Sequence, residues 1–110
     1  MHIDFNELRE IIIPHLDGGE GAVSAKMYMD ESGKIILSRI PVGASIGSHV
    51  QRTSNDINYV LSGTGVAVCD GEEEPLSPGI CHYCPRGAAH SIVNTGTEEL
   101  VLFSVVAEQR

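Results

Sequence analysis

Two stretches of the chain concentrate side chains able to do chemistry. Gly43 to Gly63 reads GASIGSHVQRTSNDINYVLSG and carries His49, Gln51 and Asp56; Gly79 to Asn94 reads GICHYCPRGAAHSIVN and carries His90. Imidazoles and carboxylates ligate metal ions and move protons near neutral pH, and an amide oxygen can join them as a neutral donor. The spacing is set around glycines and a proline. In the first stretch it runs Gly43, five residues, His49, one, Gln51, four, Asp56, six, Gly63. In the second it runs Gly79, five, Pro85, one, Gly87, two, His90, three, Asn94. Side chains alternate faces along a strand, so His49 and Gln51 point the same way, and Asn58 and Val60 share the face of Asp56.

Strands must position these residues. Ala22 to Met29, Lys34 to Val42, Asp56 to Ser62, Thr64 to Cys69, Ile80 to Cys84, His90 to Asn94 and Leu100 to Val106 are short segments with β-branched or aromatic residues. Turn signals separate them at Asp30 to Gly33, Asp70-Gly71, Ser77 to Gly79 and Asn94 to Gly96. Many short strands with almost no helix predict an all-β barrel or sandwich. In the first 20 residues, Asp4 could cap a short helix through Phe5, Leu8 and Ile12, closed by Pro14. An irregular arm or edge strand with Ile11 to Ile13 packed on the barrel fits the same residues.

The paired spacing resembles the two signature motifs of the cupin superfamily. The second motif matches at every fixed position; in the first, Gln51 stands where the family usually has His, and Asp56 where it has Glu. The resemblance implies a small single-domain cupin: a double-stranded β-helix or jelly-roll barrel over residues 1–110, an N-terminal arm over 1–20, and the motifs over 43–94. It also implies one divalent transition metal (Fe, Mn, Ni, Zn or Co) on His49, Gln51, Asp56 and His90, with no organic cofactor. Gln51 ligates only through a neutral oxygen, and Asp56 is one methylene shorter than Glu. The alternative is a metal-free barrel in which Gln51 and Asp56 hydrogen-bond each other and His90.

Around that set, Asn58, His82 and Tyr83 are the candidates for orienting a ligand or moving a proton. Cys81 and Cys84 have CxxC spacing, but odd separation on a strand turns them to opposite faces, against a redox or zinc pair. His82 and Cys84 share a face, so Cys84 is a pocket thiol, a soft ligand or a small buried hydrophobe. Arg39 would either face inward toward a substrate carboxylate or sit at an edge or interface. His15, before the Gly18-Gly19 turn, would either reach a pocket mouth or be a solvated loop histidine. Glu72-Glu73-Glu74 reads as a solvated hairpin tip.

With 110 residues and a net charge of −8, the chain predicts one domain without the basic stripe a nucleic-acid partner requires, and without affinity for an anionic membrane. No apolar run reaches the ~20 residues of a membrane span. The first residues lack signal-peptide character and the three cysteines are an odd count, so a cytoplasmic location is expected. The resemblance also implies a homodimer, formed by packing or by exchanging edge strands, which the aliphatic strands at Ile35 to Ile40 and Leu100 to Val106 make plausible. Three functions fit: a metal-dependent enzyme of dioxygenase, isomerase, lyase or decarboxylase type, a non-catalytic binding module, or a metal-free structural barrel. The ligand of the first two would be a sugar derivative or a keto or hydroxy acid.

Overall fold

Turn chemistry sets the register from which the barrel follows. Asp70 and Gly71 both adopt positive φ (48° and 85°), the backbone that a two-residue hairpin turn needs. They join β6 (Gly65–Cys69) to β7 (Glu72–Leu76) with Cys69 opposite Glu72 and Ala67 opposite Glu74. A second short turn, held by the Ser32 amide on Asp30 Oδ1 (2.8 Å), joins β2 (Ala22–Asp30) to β3 (Gly33–Ile40).

The remaining strands are β1 (Ile11–Pro14), β4 (Ser45–Val50), β5 (Ser54–Ser62), β8 (Cys81–Cys84), β9 (Ala89–Val93) and β10 (Leu100–Glu108). A computed structural model describes residues 1–109; Arg110, the last residue of the expected domain, lies outside them. All pairings are antiparallel, in a six-stranded sheet ordered β1-β2-β3-β10-β5-β8 and a four-stranded sheet ordered β4-β9-β6-β7. The two sheets form the double-stranded β-helix that the cupin resemblance implied.

Cross-strand rows show how the interior is graded. Ile40 faces Leu100, and Leu102 faces Val60; with Val23 and Ile92 they form a dry plug at one end. One step along, Ser104 lies opposite Asn58, and Asn58 opposite His82. One step further, Val106 lies opposite Asp56, and Asp56 opposite Cys84. The same alternation therefore carries apolar residues at the closed end and polar ones toward the open end.

Of the two readings of the first residues the edge strand holds: Ile11 to Pro14 pair with β2, where β-branched side chains fit the pleat and a proline without an N–H is tolerated. The segment 72–76 is a strand and not a loop tip. β3 and β10 lie inside their sheet, with both backbone edges already paired, so they offer no free edge to a second copy. Among the described residues no helix is long and apolar enough to cross a membrane.

Candidate metal centre

His49 comes from β4 and His90 from the adjacent β9, directly opposite each other in register. Between Ile46 and His49 the pairing shifts by one residue, a β-bulge. Without it, residues 46 and 49 would face opposite ways; with it, both line the interior cavity. Asp56 reaches the same point from β5 in the other sheet. His90 Nε2 lies 2.9 Å from His49 Nε2 and 3.1 Å from Asp56 Oδ2. One ligand atom from each of the three residues falls within 4.8 Å of the others. His90 and Asp56 are buried, whereas His49 is half-buried.

The far side of each imidazole is also held. His49 Nδ1 lies 3.1 Å from Asp17 Oδ2 and 3.1 Å from the Gly47 carbonyl. Both are acceptors, so Nδ1 carries the proton of the neutral ring and Nε2 presents a lone pair inward. Asp17 sits in a 3-10 turn (Leu16–Gly18) that lies flat on β4. Two glycines permit that approach: a Cβ on Gly19 would fall 2.1 Å from the Ser45 carbonyl oxygen, and one on Gly47 2.0 Å from that of Asp17. His90 Nδ1 meets His82 Nε2 at 2.9 Å, and His82 Nδ1 meets Glu74 Oε1 at 2.8 Å.

Gln51 is buried, lines the cavity and donates from Nε2 to Ser54 Oγ (3.1 Å). That bond leaves Oε1 as its free end. The backbone of Gln51 is fastened to the Pro85-Gly87 turn, its N–H donating to the Ala88 carbonyl (2.9 Å). The metal-free alternative is met only in its Asp56–His90 contact, because the Gln51 amide turns to Ser54 and not to Asp56. A carboxylate and two imidazoles converging with at least one lone pair suit a first-row divalent ion, with the Gln51 oxygen as a further donor.

The other sequence candidates separate clearly. Asn58 lines the cavity, yet its Oδ1 accepts from Ser104 Oγ (2.7 Å) and its Nδ2 donates to the His82 carbonyl (3.4 Å). His82 is inward and fully buried, with both ring nitrogens bonded. Tyr83 projects outward, 49% exposed, so it does not reach the cavity: it shares the outer parity of Cys81. Burial pushes the Cys84 thiol up to about 12, with the nearby Cys69 thiol adding to the effect. It therefore stays protonated at neutral pH, as a small core residue and not a thiolate ligand. Arg39 is exposed and pairs with Glu99 (3.1 Å), away from the cavity. His15 is exposed, with Nδ1 3.1 Å from the Gly19 carbonyl, and His2 is exposed in the arm. Asn94, the last motif residue, is structural: its amide donates to the Ile40 and Glu98 carbonyls at 2.8 Å each.

The cavity has a volume of about 480 Å³. Val23, Met27, Ile36 and Leu102 form part of its apolar wall, and Lys34 and Arg52 add positive charge to its lining.

Residues 36–106 match the family model described as the cupin domain. The chain is a cupin. An oxalate-binding protein of Thermotoga maritima is 29% identical to it over 112 residues, covering 96% of this chain and 93% of that protein. An uncharacterized protein of Methanocaldococcus jannaschii is 34% identical over 97 residues, covering 88% of this chain and 69% of the other. Among solved structures, a predicted oxalate decarboxylase of Thermotoga maritima superposes with a TM-score of 0.92 at 26% identity, covering 99% of this cupin and 100% of that chain. The cupin domain of Schizosaccharomyces pombe Cnp3 superposes with a TM-score of 0.80 at 15% identity, covering 99% and 74%, a likeness of fold.

Asp17 and Glu74, which hold the outer nitrogens, were not among the sequence candidates. A signal existed for Glu74. The Asp70-Gly71 turn places residue 74 opposite Ala67, on the inward parity of Leu76. Asp17 carried no such signal, since its contact depends on a left-handed turn (φ 52°) and on the bulge in β4.

Proposed function

We propose that this cupin holds one divalent transition metal ion on His49, Gln51, Asp56 and His90, and uses it to bind a small carboxylic acid in the barrel. The observation that carries this reading is the convergence of His49 Nε2, His90 Nε2 and Asp56 Oδ2 beside a cavity of about 480 Å³. When bound, such an ion supplies a Lewis-acid centre for a carboxylate or carbonyl oxygen. Asp17 fixes the ring of His49, and Ser54 holds the Gln51 amide so that its oxygen is the end left for the ion. In a chain of net charge −8 whose cavity lining sets Asp17, Asp56 and Glu108 against Lys34 and Arg52, an anionic ligand depends on the bound ion for its charge partner, with the two cations assisting. The oxalate-binding protein of Thermotoga maritima supports a carboxylate ligand.

None of the three residues singled out for moving a proton is placed to do so, which favours binding without turnover. Asn58 does not titrate and is committed to Ser104, His82 has no free nitrogen, and Tyr83 is outside. The relative described as a predicted oxalate decarboxylase favours a second reading, in which the same site turns its ligand over. We place the protein as a homodimer that pairs through faces, because Tyr59, Leu61, Tyr83 and Phe103 leave apolar surface on the outside of the six-stranded sheet.

The test is elemental analysis of protein purified without a metal-affinity tag, beside His90→Ala. One equivalent of transition metal, lost in the variant, is the expected result, followed by oxalate binding to the loaded protein alone. Release of carbon dioxide from oxalate would favour the second reading. No metal in either protein after incubation with Fe, Mn, Ni and Zn would end the metal assignment.

A further inference from the structure

We propose that Glu74 and His82 are positioning residues. The Glu74 carboxylate sets the direction of a chain of two imidazoles, so that His90 turns the lone pair of Nε2, and not an N–H, toward His49 and Asp56. This inference rests on the metal reading above and adds what prepares His90 for it.

The argument starts at the surface end. A carboxylate only accepts hydrogen bonds, so with Glu74 Oε1 at 2.8 Å, His82 Nδ1 is the donor. A neutral imidazole has one N–H, so His82 Nε2 accepts. Its partner at 2.9 Å, His90 Nδ1, must then donate, which leaves His90 Nε2 bare. Reversing the chain would set the bare Nδ1 of fully buried His82 against a carboxylate oxygen with no proton between them, whereas the forward direction gathers its facing acceptors, His90 Nε2, His49 Nε2 and Asp56 Oδ2, at one point where a cation compensates them. Reversal would also put an N–H on His90 Nε2, pointing at Asp56 and His49 at 3.1 and 2.9 Å, and close the site on its own hydrogen bonds. The choice between an ion site and a self-satisfied network is thus made at Glu74, two residues removed from the donors it governs.

The fold gives this contact a particular place. β7 and β8 are edge strands of different sheets, and Glu74 to His82 spans the seam between them. Opposite Glu74 in register stands Ala67, whose small side chain leaves room for the carboxylate to reach inward.

The test uses Glu74→Leu, chosen because the Glu74 side chain is 42% exposed and its loss spares the core. Glu73→Leu removes the same charge from the outward face of the same strand. In metal-free protein, two-bond proton–nitrogen correlation spectra read which ring nitrogen of His90 is bare. The parent and Glu73→Leu should show one tautomer, with Nε2 bare, and Glu74→Leu a mixture. Co²⁺ affinity, followed by visible absorption, should fall about 10–100-fold in Glu74→Leu and stay at the parent value in Glu73→Leu. An unchanged tautomer and affinity in Glu74→Leu, or equal losses in both variants, would overturn the proposal. Should the parent take up no Co²⁺, the metal reading fails, while the tautomer comparison still decides this one.

Discussion

The two ends of the barrel are built on one scaffold and do different things. At the closed end, Ile40, Val60, Leu100 and Leu102 are 0–1% exposed and belong to one apolar cluster, with Leu102 also forming part of the cavity wall. Two rows along the same strands, Asp56, with Val106 opposite it, meets His90 of the other sheet at 3.1 Å. Between them, Ser104 and Asn58 bond to each other across the strands at 2.7 Å and separate dry from polar. The same strands run through both regions, so the difference lies chiefly in side chains, with the bulge before His49 as the backbone's own contribution at the mouth. Stability and ligand chemistry can therefore sit on the same strands, separated only by distance along them.

The sharpest way to break that comparison is Leu102→Ala. Leu102 is 1% exposed in the plug, and truncation there should cost about 2–5 kcal/mol through lost burial and the cavity left behind. Urea unfolding measures this. The folded fraction should bind metal as the parent does, since no donor moves. A parallel loss of metal affinity would mean that the plug sets the geometry of the mouth, and the two regions are one.

A smaller effect is expected in alkaline solution, where Cys84 lies in the row of Asp56 yet behaves as core. Its folded pKa of about 12 is above the ordinary thiol value of 9.0, so the fold favours the protonated form. That contribution is complete below about pH 9 and is lost as pH rises toward 12, because the unfolded chain ionises first. The Cys69 thiol is raised as well, chiefly by burial, and acts in the same direction. Melting temperature in the parent should therefore fall with pH above about 9, and Cys84→Ala should fall less steeply from a lower starting point. Equal slopes would place the titration elsewhere.

How much of this was legible depended on whether local chemistry or a distant contact decided the outcome. Turn residues such as Asp70-Gly71 marked the strands, and the motif spacing marked His49, Asp56 and His90, which the fold brings together. Parity placed Cys81 and Cys84 on opposite faces, but a four-residue strand with polar and aromatic residues on both sides does not say which face is inner. Tyr83 was lost on that point. Arg39 alternates with Ser38 and Ile40, both buried, so its outward turn toward Glu99 follows once the sheet is known. The triple glutamate hid Glu74, since two of its members are solvated and only the third meets a buried imidazole. The bulge before His49 falls where Gly47 lies against the Asp17 turn, a juxtaposition that no period in the chain announces.

The finest test concerns Gln51, the residue at which this chain departs from its family's usual histidine. Its Nε2 donates to the buried Ser54 hydroxyl, and no bond among the described residues uses Oε1. In Gln51→His, the new ring can give its Nδ1 proton to Ser54 Oγ and turn Nε2 toward the other donors, keeping the buried hydroxyl paired. Imidazole nitrogen is the stronger donor for first-row ions, so affinity for Co²⁺ or Ni²⁺ should rise on the order of tenfold, equivalent to ~1.4 kcal/mol. Calorimetric titration of the metal-free protein measures it, and urea stability of that same form should barely change, since the plug is untouched. An affinity that stays level or falls would put Gln51 outside the donor set, leaving His49, Asp56 and His90 to hold the ion with water.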